Sequence, residues 1–196
     1  MNSVPTGAQA QPGRMSPRQR MERVLACRKA DRVPFSPAIY EHKAFLLGRS
    51  VSELARDEDL LVEAMRREYE VYLPDLLTVG VDVYNVEAEA LGCRVRYEQR
   101  VSAVPGVVEG LCATASELGS LPSVNPERDG RMPLFLKAGE RVNQALGREV
   151  LIFGAVSGPF SVAAALVGLE ALLIATQEDR GLVQAAMSAA CRVVGD

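Results

Sequence analysis

The sequence of 196 residues is poor in the side chains that bind metals. It has a single histidine, His42, and its four cysteines lie far apart and form no C-x-x-C pair. A structural zinc site usually needs four such ligands at close spacing, so these residues predict no metal site of their own. The cysteines stand among aliphatic residues and no charged-then-apolar leader is seen, so we expect reduced thiols in a cytoplasmic protein.

The sequence also lacks an excess of positive charge and a long uninterrupted apolar run. Lysine and arginine together number 22 against 25 aspartates and glutamates, which gives a formal net charge of -3. A nucleic-acid partner is therefore not expected, because such proteins neutralise phosphates with a basic surface. Residues 150–169 carry no formal charge, but Ser157-Gly158-Pro159 interrupts them. We predict a strand and a helix around this break, and no membrane span.

The hydrophobic content of 48% is ordinary for a globular protein and is enough for one folded domain. Proline, glycine and small polar residues are frequent in residues 1–14, so this segment is predicted to be a disordered tail before a domain over residues 15–196.

The domain is predicted to contain helices and strands in alternation. The predicted helices begin at Ser16-Pro17, cover Leu60–Tyr72 and Pro133–Leu146, and include two more after the last strand. The predicted strands are an irregular one over Asp31–Tyr40, one that opens the segment Val79–Gly92, a hairpin arm at Arg94–Tyr97 and one over Val150–Val156.

The segment Val79–Gly92 organises the rest of the chain. It opens as a buried strand and ends in polar residues where the strand should stop, which is where α/β proteins place their ligands. Glu87 and Glu89 stand close together there, and neighbouring carboxylates tend to need a cation, a proton or a substrate. Alternatively, they begin a solvated helical turn. Asp82 requires a hydrogen bond or an ion pair if the strand is buried, and we expect Asn85 to line the same cleft.

The first predicted strand adds further candidates. Tyr40 and His42 come at its end, where the histidine is able to act as an acid, a base or a hydrogen-bond donor near neutral pH. His42 is equally able to be a surface or packing residue. Arg32 lies near the start of the strand, and it either binds an anionic substrate or pairs with Asp31 and a neighbouring helix.

The strand over Val150–Val156 is a continuous apolar run, which predicts a parallel strand covered on both faces. The turn that follows it contains Ser157, Gly158 and Phe160 and leads into a helix. Free backbone N–H groups at such a turn can bind an anion, so these three residues are candidate substrate contacts. The same turn also serves as a plain connection between a strand and a helix.

The repeated strand-then-helix order predicts parallel strands with right-handed crossovers. A complete (β/α)8 barrel needs about 250 residues. The predicted fold class is therefore α/β, as the N-terminal part of a TIM (β/α)8 barrel.

Three motifs follow one another along this framework: Asp31-Arg32-Val33-Pro34-Phe35, then Val86-Glu87-Ala88-Glu89-Ala90-Leu91-Gly92, then Phe153-Gly154 through Gly158-Pro159-Phe160-Ser161. In combination they resemble the uroporphyrinogen decarboxylase superfamily, which includes the cobalamin-dependent methyltransferases that charge coenzyme M. The resemblance extends from about Ser16 to the C-terminus. It implies a (β/α)8 barrel with a substrate cleft at the C-terminal ends of the strands.

The resemblance is closer to the methyltransferase branch than to the decarboxylases. The decarboxylases carry an arginine-rich R-Q-A-G-R-Y segment after the first strand, where this chain has Ser36–His42 without an arginine. The decarboxylase aspartate falls at Val83, one place from Asp82, and the decarboxylase tyrosine falls at Ala165. The residues Val86–Ala90 are more similar to the corresponding segment of the methyltransferase branch.

We therefore expect a methyltransferase-like protein that binds a corrinoid or another tetrapyrrole, free or carried by a corrinoid protein. The resemblance implies zinc only where a second half of the barrel supplies histidine and cysteine ligands. Catalytic roles are predicted for His42, Glu87 and Glu89, and substrate binding is predicted for Arg32, Tyr40, Asp82, Asn85, Ser157, Gly158 and Phe160.

Two other hypotheses stay open. A porphyrinogen decarboxylase would use Asp82 in place of the missing aspartate and Arg32 in place of the missing guanidinium. A non-catalytic half-barrel would act as a binding or assembly module, because unpaired strand edges seek partners. The short chain also predicts self-association or pairing with a complementary C-terminal half.

Overall fold

The computed structural model describes residues 14–82, 84–98, 100 and 103–195. Residues 1–13, which make up nearly all of the predicted tail, and Val83 lie outside the described residues. The helices are α1 (Pro17–Leu25), α2 (His42–Leu47), α3 (Val51–Leu54), α4 (Glu58–Tyr72), α5 (Val86–Ala90), α6 (Ala115–Gly119), α7 (Met132–Leu146), α8 (Pro159–Val167), α9 (Leu169–Glu178) and α10 (Arg180–Gly195). The strands are β1 (Leu76–Val79), β2 (Val95–Arg96), β3 (Gly106–Val107) and β4 (Leu151–Gly154).

β1 and β4 form a parallel pair in which Leu77 lies opposite Ile152 and Val79 lies opposite Gly154. Parallel neighbours need a long crossover connection, and α7 is the part of that crossover that packs on both strands. β2 and β3 form a short antiparallel pair within the crossover, which confirms the predicted hairpin arm. The parallel pairing confirms the predicted α/β class.

Local sequence signals set the ends of the long helices. Ser16 Oγ accepts a hydrogen bond from Gln19 N at 3.2 Å, and the Gln19 side chain accepts one from Ser16 N, which completes a capping box for α1. α4 begins after Asp57, whose side chain accepts a hydrogen bond from Leu60 N, and it ends two residues before Pro74. The predicted helices at Ser16, over Leu60–Tyr72 and over Pro133–Leu146 are thereby confirmed.

The prediction of an irregular strand over Asp31–Tyr40 is wrong, because this segment forms no strand in the structure. Prolines at two positions of this segment lack the N–H groups that a ladder needs. The segment still meets the sheet, since Asp75 N donates a hydrogen bond to Phe35 O at 2.7 Å immediately before β1.

The strand predicted to open Val79–Gly92 is wrong in position, since β1 ends at Val79. Gly80 has a φ of 104°, a conformation that glycine adopts without strain and that turns the chain out of the strand. The polar residues after it therefore belong to a loop and to α5.

One apolar cluster covers the helix-facing side of β1. Leu77 and Val79 of the strand pack there with Leu61 and Met65 of α4 and Val142 of α7. Full burial of side chains of this size contributes about 1.5–3 kcal/mol each, so this cluster fixes both helices against the strand.

A second apolar cluster fixes α5. Ala88 of α5 packs there with Leu166 of α8, Leu118 of α6 and Ala186 and Ala190 of α10. The small alanines allow α10 to approach α8 closely. Because α5 carries both predicted glutamates, this cluster also sets their position relative to the turn before α8.

A buried ion pair fastens α2 to α4. Lys43 Nζ lies 3.2 Å from Glu68 Oε2, and both side chains are almost completely buried. Lys43 Nζ also donates a hydrogen bond to Ile39 O at 2.9 Å. Burial lowers the pKa of Lys43 and raises that of Glu68, so desolvation opposes the pair while mutual attraction holds it.

β4 is not the doubly covered strand that its apolar run predicted. Phe153 is 48% exposed, and Val156, just after the strand, is 68% exposed. Within the described ranges β4 pairs with β1 alone, so no strand covers its other edge. α9 exposes Leu169, Leu173 and Ile174 as well.

The interruption at Ser157-Gly158 separates β4 from α8, as the sequence predicted. No single helix in the described part of the chain is long and apolar enough to cross a membrane. α8 and α9 meet that criterion of length and composition only as a pair, and they are bent by 101° at the break between them.

Candidate functional site

The loop between β1 and α5 places polar residues at the carboxyl end of the sheet. Asp82 follows Gly80 into a fully buried position. Its Oδ1 accepts a hydrogen bond from Tyr84 N at 3.2 Å, which is the local turn that aspartate favours. Asn85 then occupies the position before α5 and is 3% exposed.

Arg131, immediately before α7, binds three of the predicted site residues at once. Its Nη2 lies 3.1 Å from Asp82 Oδ2 and also donates a hydrogen bond to Asn85 Oδ1. Its Nε donates to Glu89 Oε2. Asn85 Nδ2 in turn donates to Pro105 O at 2.6 Å, next to β3. We call Arg131, Asp82, Asn85 and Glu89 the Arg131 cluster, which joins the end of β1 to α5 and α7.

Two aromatic rings lie against the guanidinium of Arg131. The ring centroids of Tyr97 and Phe135 are 5.3 and 5.8 Å from its central carbon, within the range of cation–π attraction. Tyr97 Oη also donates a hydrogen bond to Glu89 Oε1 at 2.6 Å. Arg131 Nη1 is buried and has no hydrogen-bond acceptor among the described residues. The cation–π attraction of the two rings partly offsets the cost of burying this group.

Burial governs the protonation of the Arg131 cluster. Arg131 is 7% exposed and Asp82 is fully buried. Burial raises the pKa of Asp82, and the attraction of Arg131 opposes this rise only in part. Burial acts to lower the pKa of Arg131, but the hydrogen bond to Glu89 and the charges of Glu89 and Asp82 raise it overall. Arg131 is therefore a permanent cation that holds the two acidic side chains in place.

Gly130 allows Arg131 to approach α5. It has a φ of +57°, and a Cβ atom at this position would lie 2.9 Å from Ala90 N. A side chain here would force the backbone of α5 and the start of α7 apart. The glycine thus sets the distance over which Arg131 reaches its partners.

Glu87 takes no part in the Arg131 cluster. Its Oε1 accepts a hydrogen bond from Ser157 N at 2.9 Å, which joins α5 to the turn after β4. Its Oε2 has no hydrogen-bond partner among the described residues, although Glu87 is only 4% exposed. An unpaired buried polar group costs about 1–3 kcal/mol, and more when it is charged. Such an atom indicates a place for a water molecule, an ion or a ligand.

Glu87 and Asp82 line a cavity of about 470 Å³, which we call the inner cavity. Val79 and Gly139 belong to its wall, and a Cβ at Gly139 would lie 3.3 Å from Val79 Cγ2. Because Val79 packs against α4 and α7, the inner cavity reaches the helix-facing side of the sheet. Most of its remaining wall is apolar and includes Val86, Met132, Phe135, Leu136, Val156, Val193 and Val194.

A second recess of about 490 Å³ shares Val156 with the inner cavity, and we call it the outer concavity. Its wall contains Ser157, Gly158 and Phe160, the three residues predicted at the turn after β4, together with Tyr84. Tyr84 is 53% exposed and Phe160 is 44% exposed. The structure therefore brings the predicted turn residues together with an aromatic residue from the loop after β1.

Tyr40 and His42 lie outside both walls. The Tyr40 ring is 6.4 Å from the Tyr84 ring in an edge arrangement, which places it beside the outer concavity. His42 Nε2 is 2.7 Å from Tyr72 Oη, and the histidine ring stacks on Phe45. His42 thus lies exposed on α2, in contact with Tyr72 and Phe45.

Arg32 lies at the amino end of β1, away from the other predicted site residues. Its Nη1 is 2.7 Å from Asp75 Oδ2, and Asp75 immediately precedes the strand. The expected partner, Asp31, instead binds Arg20, with Nε and Oδ1 2.6 Å apart. Arg32 thus belongs to an ion-pair network that ties α1 to the start of the sheet.

The sequence pattern does not predict Arg131, which is the centre of the site. A buried Asp82 requires a cation or hydrogen-bond donors, but 22 lysines and arginines are available and lie anywhere along the chain. The one local signal is the position of Arg131 after a turn-rich segment and at the start of a helix. That signal gives no information on which strand end the arginine reaches.

The described residues do not fit a zinc ion. No group of three or more histidine, cysteine, aspartate or glutamate side chains among them is placed to hold a metal. Cys93 and Cys112 are buried as free thiols, whereas Cys27 and Cys191 are exposed. Burial raises the pKa of Cys93 to about 11, which makes it a poor thiolate ligand or nucleophile at neutral pH.

Comparisons with known proteins cover nearly all of the described chain. A family model described as uroporphyrinogen decarboxylase (URO-D) matches residues 16–196. Among solved structures, a methyltransferase from Methanosarcina mazei matches with a TM-score of 0.78 and 19% sequence identity, over 91% of this chain and 53% of that chain. The chain thus spans about half the length of that methyltransferase, and the likeness confirms the predicted partial-barrel fold. A search of curated proteins gave no match.

Proposed function

The chain belongs to the uroporphyrinogen decarboxylase family, and on this premise we propose that it is a methyltransferase-like member that binds a corrinoid or another tetrapyrrole. The proposed site is the outer concavity, at the carboxyl ends of β1 and β4. The observation that carries the proposal is the pair of exposed aromatic residues, Tyr84 and Phe160, in one open wall. Flat conjugated macrocycles pack well on such side chains.

The turn after β4 supplies polar contacts beside these rings. In the first turn of α8, Pro159 has no N–H, and Ser161 N and Val162 N already donate to Gly158 O. The N–H of Phe160 is therefore the donor of this turn that is available to carboxylate or amide oxygens on the rim of a macrocycle. Ser157 contributes the N–H that holds Glu87 in place. A macrocycle on Phe160 would also cover Val156 and so approach the inner cavity.

A methylated corrinoid, once bound, supplies a transferable methyl group. The residues of this chain bind and orient it, because the Arg131 cluster fixes α5 and the loop that carries Tyr84. Glu89 already binds both Arg131 and Tyr97, so its proposed role is to position α5 and not to move a proton. Glu87 is the acidic residue of this region that retains an oxygen without a partner among the described residues.

The methyltransferase-like reading has more support than porphyrinogen decarboxylation. The decarboxylase hypothesis needs Arg32 and Asp82 at the substrate, but Arg32 pairs with Asp75 at the amino end of β1 and Asp82 pairs with Arg131. The similar solved structure is named a methyltransferase. Conversion of uroporphyrinogen to coproporphyrinogen by the full-length protein, lost on Asp82→Ala, would reverse this preference.

Isothermal titration of methylcobalamin into the full-length protein tests the proposal. We expect saturable binding that weakens about tenfold in Phe160→Ala, since an aromatic contact contributes about 1.5 kcal/mol. Phe45→Ala is the matched control, because Phe45 is 69% exposed on α2 and lies outside the proposed site. Absence of binding, or equal losses in the two variants, would contradict the proposal.

A further inference from the structure

We propose that the inner cavity binds a second ligand, an organic ammonium ion or a similar cationic hydrogen-bond donor on a small apolar body, with its donor on Glu87. The inner cavity extends to the helix-facing side of the sheet between β1 and α7, whereas the outer concavity lies along the turn into α8. The two sites touch at Val156. Binding in the inner cavity does not depend on the tetrapyrrole proposal.

The charges in the wall define the ligand class. Among the described residues that line the inner cavity, Asp82 and Glu87 are charged and both are acidic, while no lysine, arginine or histidine takes part. The rest of the wall is formed mainly by valine, leucine, methionine and phenylalanine side chains. An apolar cavity with acidic residues alone disfavours anions and favours a cation that carries hydrocarbon.

Glu87, and not Asp82, is the residue that can accept a new donor. Asp82 Oδ2 lies 3.1 Å from Arg131 Nη2, and Asp82 Oδ1 accepts from Tyr84 N, so both of its oxygens are engaged. Glu87 has no ion-pair partner among the described residues, and its Oε2 has no hydrogen bond there. The Glu87 side chain is therefore almost completely buried and keeps one oxygen without a donor among the described residues.

The contact with Ser157 prepares Glu87 for this role. The hydrogen bond from Ser157 N to Oε1 fixes the side chain across the gap between α5 and β4. A side chain that is already held loses little freedom when a ligand binds. The cavity volume of about 470 Å³ falls within the usual range for small-molecule sites.

The test compares three probes of nearly equal shape, namely benzylammonium, benzyl alcohol and benzoate, by titration into the full-length protein at neutral pH. We expect benzylammonium to bind about tenfold or more tightly than benzyl alcohol, because a charged donor makes the stronger bond to a carboxylate. Benzoate should bind most weakly. Equal affinity for the three probes, as expected of a cavity that holds only ordered water, would overturn the inference.

Two variants locate the probe. Glu87→Gln should remove the preference for benzylammonium, whereas Glu63→Gln, the same change on the exposed face of α4, should leave it intact. Gly154→Val adds a branched side chain to the cavity wall, where a Cβ meets no atom within 4 Å, and it should weaken all three probes while leaving Glu87 in place. Unchanged benzylammonium binding in either Glu87→Gln or Gly154→Val would overturn the inference. If Glu87→Gln fails to fold, the result for Gly154→Val alone decides the test.

Titration of methylcobalamin into the same variants separates this inference from the proposed function. Phe160→Ala should weaken methylcobalamin and leave benzylammonium affinity unchanged. Failure of methylcobalamin to bind would contradict the proposed function alone, while loss of the benzylammonium preference in the wild-type protein would contradict the inner-cavity inference alone.

Discussion

Arg131 Nη2 lies 3.1 Å from Asp82 Oδ2, although 49 residues separate the two in the chain and both side chains are almost completely buried. This contact links the start of α7 to the end of β1. Through Asn85 and Glu89, the same guanidinium also fixes α5. Both proposed sites border on this loop and helix, so their shape depends on the one arginine.

Replacing Arg131 by methionine should lower the free energy of unfolding by about 3–5 kcal/mol, because it leaves Asp82 and Glu89 without their cation. Urea unfolding followed by circular dichroism measures the change. Arg128→Met is the control. Arg128 lies three residues before Arg131 and makes an exposed ion pair with Asp129, so its replacement should change the free energy of unfolding by no more than about 0.5 kcal/mol. Similar effects of the two substitutions would contradict the central role of Arg131.

The sequence was sufficient for the parts of the fold that depend on local signals. The capping box at Ser16 predicts the start of α1, the apolar stripe predicts the helix α4, and the break at Ser157-Gly158 predicts the separation of β4 from α8. The structure contains all three features. The resemblance carried by the three motifs in combination likewise predicts the family that the comparisons show. The helix cap, the apolar stripe and the break need only neighbouring residues and a periodic pattern, whereas the family is predicted by similarity to known motifs.

Other features depend on contacts between distant residues, and the sequence pattern alone was insufficient for them. Gly80 ends β1 earlier than the β-branched run suggested, and the exposure of Phe153 depends on which strands lie beside β4. The pairing of Arg32 with Asp75, and of Asp82 with Arg131, is a choice among many possible partners. Periodicity carries no information about such choices.

Gly130→Ala should destabilise the protein more than Gly48→Ala does. Both glycines have positive φ, of +57° and +64°, so both substitutions incur about 1–2 kcal/mol of backbone strain. A Cβ at Gly130 would also lie 2.9 Å from Ala90 N, whereas one at Gly48 meets no atom within 4 Å. Thermal unfolding of the two variants measures the difference. Equal melting temperatures would show that the close approach to α5 is unimportant.

Thiol labelling should distinguish two classes of cysteine. Burial raises the pKa of Cys93 to about 11 and raises that of Cys112 as well, so at pH 8 both are largely protonated and unreactive. Cys27 and Cys191 are exposed. We expect a disulfide reagent to label two thiols rapidly in the native protein and all four in denaturant. Rapid native labelling of four thiols would contradict the burial of Cys93 and Cys112.

The isolated chain of 196 residues should self-associate at micromolar concentration, unless a complementary barrel half covers its exposed apolar faces. Burial contributes about 25 cal/mol per Å² of apolar area, so a few hundred Å² provides several kcal/mol for association. Sedimentation velocity measures the effect. Lysine at both Leu173 and Ile174 on α9 should reduce association, while Val33→Lys should not, although Val33 is 85% exposed. A monodisperse wild-type monomer would contradict this expectation.

Hydrogen–deuterium exchange of the full-length protein with and without methylcobalamin tests the central claim most directly, because it locates the macrocycle along the chain. The account predicts slower exchange in residues 84–87 and 156–161, which form the outer concavity and the loop beside it, and unchanged exchange in α2 and α4. Protection confined to other segments, such as the Arg32–Phe35 region at the amino end of β1, or no protection at a saturating concentration, would contradict the proposed tetrapyrrole site.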